Sequence, residues 1–290
     1  MQNHDAPTTD LKHLQDWIGR QETRRDVLTA TPVAALSATL DRDDPAPTPG
    51  TALPPLWHWL YFTPLTRHSE LGVDGHARRG GFLPPVPLPR RMWAGGRLDF
   101  LQPLRVGDAV TRTSTIRDVT VKHGRTGALV FVCVRHEFST PQGLALAEEH
   151  DIVYRDAPQP GAPAPEPTPA PAPRNEQFSR EIVPDPVLLF RYSALTFNGH
   201  RIHYDRSYVT GVEGYPGLIV HGPLIATLLL DLLRRNLPNA QVKHFSFKAV
   251  RPTFDIHPFI VCGKVEGKTV TLWGRDHEGW LTMQASAEIA

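Results

Sequence analysis

Gly214-Tyr-Pro-Gly-Leu-Ile-Val-His-Gly-Pro-Leu224, with the leucine-rich run that continues it to Leu233, is the stretch on which the fold turns. Pro223 directly after Gly222 suits a first helical turn, where the missing proline N–H costs no hydrogen bond. Leu224 to Leu233 then has the apolar density of a buried helix. A helix start leaves unpaired backbone N–H groups and a partial positive charge, and glycine there lets a bound group approach the backbone closely. A carbonyl oxygen that gains negative charge can therefore be held at Gly222. An ordinary core helix with a Gly-Pro start accounts for the same residues, so the helix alone fixes no function.

Upstream lies Tyr192-Ser-Ala-Leu-Thr-Phe-Asn-Gly-His-Arg-Ile-His-Tyr-Asp205. Val187 to Thr196 reads as a short helix that stops near Asn198-Gly199. His200, His203 and Asp205 fall on the connection beyond it, where functional side chains concentrate. Two histidines, an Asn and an Asp packed so closely are harder to explain as structural than a lone histidine would be. A metal held by His200, His203 and Asp205 is a competing use. No cysteine is near and nothing fixes a tetrahedral set, so no metal is expected.

Together these stretches resemble the hydratase motif of the MaoC-like hot-dog acyl-thioester hydratases. The resemblance points to the branch with type 2 hydroxyacyl-thioester dehydratases and the 3-methylfumaryl-CoA (mesaconyl-CoA) or itaconyl-CoA hydratases. The wider family carries Ser-Gly-Asp-x-Asn-Pro-Leu-His and a later His-Gly at a helix start. Here the motif becomes Thr196-Phe-Asn198-Gly-His200-Arg-Ile-His203, then His221-Gly222. The resemblance implies that His203 is the catalytic histidine and Gly222 the backbone oxyanion donor. Asn198 replaces the wider family's catalytic Asp; an amide takes no proton at neutral pH but can orient a water or an imidazole. The expected roles are His203 as general base, Asn198 as water holder, His200 as alternative base, Asp205 as an orienter of imidazole and His221 as a substrate contact. No cofactor is expected, because CoA belongs to the substrate.

Chain length and 40% hydrophobic content allow two modest cores in 290 residues. A formal charge of +1 and the lack of a long basic block argue against a general nucleic-acid surface. Cys133 and Cys262 sit in β-like apolar runs and read as reduced core residues, which fits the cytoplasm. No leader pattern and no membrane-length apolar run stand out, so neither secretion nor membrane insertion is expected. Proline recurs at almost every second residue over 157–174, the signature of an extended spacer, with a proline-rich ligand as the other reading. It divides a first half, about 10–156, from a second, 175–290.

The halves echo each other. Asp99 to Val110 aligns with Lys248 to Phe259, Pro103 opposite Pro252. Strand-like runs cover Thr113 to Val121, Ala128 to His136, Lys243 to Val250, Phe259 to Val265 and Thr269 to Trp273. Val106-Gly-Asp108 and Lys122-His-Gly-Arg125 read as hairpin turns, and Asp16, Trp17 and Ile18 as part of an amphipathic amino-terminal helix. With Leu224 to Leu233 as one central helix and Thr51 to Phe62 as the other, the expectation is α+β: a double hot dog, one helix wrapped by an antiparallel sheet in each half. Pro89 to Phe100, with its arginines, Trp93 and a Gly pair, reads either as a loop clasping phosphate or carboxylate or as a solvated loop with Trp93 buried. Arg90, Arg91, Trp93 and Arg201 are the candidate substrate contacts.

Three functions fit these features. The first is hydration of a short branched unsaturated dicarboxylyl-CoA to citramalyl-CoA, whose free carboxylate a guanidinium could grip. The second is dehydration of 3-hydroxyacyl thioesters in fatty-acid synthesis. The third, prompted by Asn198, is an acyl-CoA binding protein without catalysis. A monomer and a homodimer both fit, because exposed sheet edges can pair.

Overall fold

The computed structural model describes residues 11–124, 127–156 and 169–290. Its frame is a ten-stranded antiparallel sheet in the order β1-β3-β4-β5-β2-β7-β10-β9-β8-β6. The first five strands are β1 (Gln21–Val27), β2 (Arg90–Phe100), β3 (Ala109–Gly124), β4 (Gly127–Thr140) and β5 (Gly143–Arg155). The second five are β6 (Phe178–Ile182), β7 (Val242–Ala249), β8 (Phe259–Glu266), β9 (Thr269–Arg275) and β10 (Leu281–Ile289). Read inward from either edge, each half has the same order: its first, third, fourth, fifth and second strand. The halves join where β2 pairs with β7, with Leu98 opposite Phe245.

The echo around Pro103 and Pro252 marks this symmetry, because each proline lies between the second and third strand of its half. A lone bridge repeats too, Ala52 to Arg105 in the first half and Ile219 to Phe254 in the second. After its first strand each half has a helix, α1 (Ala30–Thr39) or α2 (Pro186–Leu195), and the two pack together. The second half then has α3 (Arg206–Gly211) and α4 (Gly222–Asn236). Every residue of α4 from Leu224 to Leu233 is buried, the pattern of a helix enclosed on all sides. Its one buried acid, Asp231, is matched by Arg42 at 2.7 Å, Arg235 at 2.7 Å and Arg180 at 3.1 Å. One apolar core runs through both halves, and a smaller one lies beneath β3, β4 and β5. This is the expected α+β double hot dog, with one departure.

That departure is the first half's central helix. Thr51 to Phe62 holds a single 3-10 turn, Trp57–Leu60, between residues with positive φ, Leu56 at 71° and Phe62 at 55°. Two prolines at 54 and 55 and two left-handed residues leave no room for continuous i to i+4 bonding. The amino-terminal helix is also a 3-10 turn, Lys12–Trp17, with Ile18 just beyond it. The stretch expected as a loop from Pro89 is strand over Arg90–Phe100. Its glycines serve close packing: a Cβ on Gly95 would lie 2.5 Å from the Phe247 carbonyl oxygen. Cys133 is half-buried beside Arg97 rather than in the core, while Cys262 is buried.

The expected hairpin at Lys122 to Arg125 joins β3 to β4, and its tip, 125–126, lies outside the described residues, as does 157–168 of the proline-rich segment. The end of that segment is docked: Pro171 bridges Trp280, and Ala172 is buried against Cys262 and Trp273. Among the described residues no helix is long and apolar enough to cross a membrane.

Candidate active site

The motif is held by caps and short turns. Asp185 caps α2 by accepting from the Val187 and Leu188 N–H groups at 2.7 and 3.0 Å. The helix ends before Gly199, and the residue in the left-handed conformation is Phe197 at φ 50°. Asn198 Oδ1 accepts from the His200 N–H at 3.1 Å, an Asx turn that sets the path of the next residues. Its carbonyl oxygen is therefore engaged with backbone, where the sequence suggested a hold on water. A 3-10 turn over Arg201–His203 follows, and Asp205 caps α3 by accepting from Tyr208 N at 3.0 Å. The second oxygen of Asp205 pairs with Arg201 at 2.8 Å. Asp205 thus orients a helix and an arginine, and not an imidazole as expected.

His203 and His221 stack with ring centroids 3.8 Å apart and planes 18° from parallel. His203 Nδ1 is 2.6 Å from the Ile219 carbonyl oxygen. A carbonyl only accepts, so Nδ1 carries the hydrogen and Nε2 keeps a free lone pair. Ile219 is fixed in turn by its N–H bond to the Ile202 carbonyl at 3.0 Å and by the bridge to Phe254. His221, expected to meet substrate, is fully buried; its Nε2 meets Ser193 Oγ at 2.8 Å. It backs His203 instead, at the residue that opens α4. Gly222 next to it is partly exposed, and a Cβ there would meet only Met283 Cε and the Trp93 carbonyl, both at 4.0 Å. The N-terminus of α4 therefore opens beside the stacked imidazoles.

Residues of the first half complete the cluster. His76 lies against His200 with ring centroids 4.0 Å apart, and His200 meets His203 edge-on at 5.4 Å. Asp74 Oδ2 accepts from His76 Nδ1 at 2.9 Å. Both sit on a hairpin closed by the Leu71–Ala77 bridge, which reaches across to the motif. Arg201 N donates to the Asp74 carbonyl and its Nη1 to the Val73 carbonyl, each at 2.9 Å. Gly75, at φ 86°, touches Gly199 so closely that a Cβ would fall 1.9 Å from the Gly199 carbonyl oxygen. Neither Asp74 nor His76 was picked out from sequence, although Asp74-Gly75 is a turn dipeptide with a histidine directly after it.

The arginine candidates separate cleanly. Arg90 is engaged by the Glu213 backbone oxygen at 2.8 Å and the Glu213 carboxylate at 3.3 Å, with Tyr215 under its guanidinium. Arg201 is held by Asp205 and by the hairpin carbonyl. Arg91 has no carboxylate partner among the described residues; its charge acts on His76 and His200, and it bonds the Tyr154 phenol. Trp93 lies tilted against His150 with ring centroids 3.9 Å apart and meets Trp59 edge-on at 4.9 Å, so it forms part of an aromatic wall.

Burial keeps the imidazoles neutral. His203 is pushed down to about 4 by desolvation, against the pull of the Ile219 carbonyl. Desolvation also lowers His200 and His76, with the charges of neighbouring imidazoles and Arg91 adding to it, while Asp74 resists it. Burial alone would raise Asp74, but the hydrogen bond and charge of His76 outweigh it and hold the carboxyl well below its usual range. His200, His203 and Asp205 do not form a ligand set. Asp74, His76 and His200 do offer ligand atoms within 4.8 Å of one another, a spacing open to a cation. A surface groove around Arg97, Cys133, Asp151 and Lys248 has none of these imidazoles in its lining.

A neutral, desolvated histidine with a free Nε2 beside a glycine at a helix start can take a proton from water while an oxyanion forms nearby. Comparison with known proteins identifies the family. The family of hydroxyacyl-thioester dehydratase type 2 matches residues 56–255. The mesaconyl-C(4)-CoA hydratase of Chloroflexus aurantiacus is 47% identical over 274 residues, covering 94% of this chain and 96% of that protein. The crystal structure of HtdX of Mycobacterium tuberculosis shares the fold at a TM-score of 0.67 and 18% identity, over 93% of this chain and all of that one. A second Mycobacterium tuberculosis protein, solved as a double hot dog, aligns at a TM-score of 0.56 and 15% identity, covering 94% of this chain and 96% of its own. The chain belongs to the hydroxyacyl-thioester dehydratase type 2 branch of the MaoC-like hot-dog family.

Proposed function

We propose that the protein is a hydro-lyase that adds water to a short branched unsaturated dicarboxylyl-CoA, mesaconyl-CoA or itaconyl-CoA, to give citramalyl-CoA. The observation that carries this is the neutral His203, its Nε2 free, set against the N-terminus of α4. Near-full-length similarity to a mesaconyl-C(4)-CoA hydratase supports the choice of substrate.

Of the two substrates, mesaconyl-CoA has its double bond conjugated with the thioester, and water adds to it through an enolate. The water oxygen bonds to the β-carbon, and one water proton passes to His203 Nε2. The π pair of the double bond moves into the thioester, whose oxygen becomes an enolate facing the Gly222 N–H. The imidazolium then returns the proton to the α-carbon, and His203 is neutral again. Its low proton affinity keeps it neutral between turnovers, and it gives the proton back readily. Arg91 receives the free carboxylate, since Arg90 and Arg201 are already paired. Asn198 holds the turn that presents His200. One chain supplies both halves of the sheet, so this reading needs no second copy.

Loss of the enoyl-thioester absorbance of mesaconyl-CoA and crotonyl-CoA, together with chromatographic detection of citramalyl-CoA formed from itaconyl-CoA, tests the proposal. Turnover of a dicarboxylyl substrate is expected, with an Arg91→Gln variant that loses its preference over crotonyl-CoA. Turnover of crotonyl-CoA alone would point to a fatty-acyl dehydratase, and silence on all three to a binding protein.

A further inference from the structure

Position 198 carries no acid, yet the site has a carboxylate, brought by the other half of the molecule. Asp74 is bonded to His76, His76 lies on His200, and His200 meets His203. We propose that Asp74 and His76 are positioning residues for the hydration, supplying from the first half the counter-charge that Asn198 cannot provide. The inference rests on the hydratase reading above.

The need for such a group follows from the surroundings of His203. Its Nδ1–H meets a neutral carbonyl, and the ring stacked on it, His221, is itself buried and uncharged. An imidazolium formed there has no carboxylate in contact, and burying an unpaired cation is expensive. The nearest carboxylate along the ring contacts is Asp74, through His76 and His200. When water gives up a proton and its oxygen bonds to the β-carbon, the positive charge left on the imidazoles is offset by Asp74. The proton then forms the new bond at the α-carbon, and Asp74 itself gains none.

The hairpin is built to dock there. Its two carbonyls receive Arg201, its turn glycine fits only without a side chain, and Gly199 mirrors it, since a Cβ there would lie 3.0 Å from the Gly75 oxygen. The charged and titratable groups facing His76 are Asp74 and Arg79 on its own segment, Arg91 on β2, and His200 and His203 on the motif. Asp74 is the one acid among them. A cation bound by Asp74, His76 and His200 would use the same atoms for a different end, so the test must separate the two.

The experiment compares wild-type protein with Asp74→Asn and His76→Gln, reading kcat, KM and the pH profile of kcat/KM on whichever thioester the wild type hydrates. Each variant is expected to lose about 10²-fold in kcat, the low end of the acid–base scale, with KM moved by less than about threefold. Asp74 favours positive charge on His76 and His200, the rings that link it to His203, so with that counter-charge gone in Asp74→Asn His203 should protonate less readily and the acidic limb of the profile should move to lower pH. A merely structural role would not move that limb. Both variants staying within about threefold of an active wild type, with the limb unmoved, would overturn the inference. So would activity that a chelator abolishes and a divalent cation restores. If His76→Gln does not fold, the near-isosteric Asp74→Asn carries the test. Silence of the wild type on all three thioesters would instead overturn the hydratase reading, and this inference with it.

Discussion

The two halves of the sheet share a strand order but differ on either side of the central-helix position. In the second half the residues before that position form the motif, from Thr196 to His221, and α4 then runs straight into β7 through Leu237 to Gln241. In the first half the helix has shrunk to Trp57–Leu60, and the long segment comes afterwards, from Tyr61 to Pro89. That segment carries the hairpin that docks on the motif. Its interior, where a helix would lie, holds His58 and Trp59 on a buried carboxylate: Glu148 accepts from Trp59 Nε1 and bonds His58 Nε2, both at 3.0 Å. The lesson is a division of labour. One half keeps the helix start and His203, the proposed base; the other gives up its helix, seals its own interior and lends an arm.

The sharpest way to break this contrast is at His203. His203→Ala removes the free Nε2 and should lower turnover by roughly 10²- to 10⁴-fold, measured as loss of enoyl-thioester absorbance. Near-normal turnover would mean that the second half does not hold the reacting group.

The joint between arm and motif comes next. Gly75→Ala touches no ionisable group, yet its Cβ would fall 1.9 Å from the Gly199 oxygen at a φ of 86°. The hairpin must lift, carrying Asp74 and His76 with it. About a 10²-fold fall in kcat is expected from displacement on the order of an ångström, with the thermal midpoint checked alongside. Unchanged kcat in a folded variant would show that the arm is a cover and no more.

How much of this was legible beforehand follows from where the constraints lie. Leu224 to Leu233 could be recognised as a helix because its apolar run and its Gly-Pro start agree locally. The strand runs from Thr113, Ala128, Phe259 and Thr269 carry their own β-branched signal. Pro89 to Phe100 looked like a loop because Gly95 and Gly96 make sense only once Phe247 is across from them. Thr51 to Phe62 was the counterpart expected for the second half's central helix, and the left-handed Leu56 and Phe62 show why it is not one. Asp74 and His76 were invisible for a related reason. They lie more than a hundred residues from His203 in the chain, and no local pattern ties them to it.

Acid should act on both halves through one mechanism. His136 and His150 in the first half are pushed down to about 4 and about 3 by burial, and His203 in the second to about 4. These rings stay neutral when folded, while the unfolded chain protonates them near 6.5. The unfolded state then binds more protons, so stability falls as pH drops from about 6.5 toward 4 and is flat above that window. Each such histidine contributes about 1.4 kcal/mol per pH unit inside the window. Thermal midpoints measured across it should fall with acid, and His136→Gln should flatten the slope by about one proton. A slope unchanged in that variant would mean that His136 is already charged when folded.

The smallest effect is expected on the far side of the strand that joins the halves. Arg97 on β2 bridges Glu149 at 2.8 Å and Asp151 at 2.7 Å on the exposed face of the sheet. Its side chain remains 44% exposed, so solvent and salt screen both pairs. The join itself rests on backbone pairing with β7 and on Leu98 packed opposite Phe245, neither of which needs the guanidinium. Arg97→Ala should therefore cost less than about 1 kcal/mol in denaturant unfolding and leave turnover unchanged. A loss of several times that size, shrinking in high salt, would mean that charge on the outer face helps to hold the halves together, and the join would then be electrostatic as well as apolar.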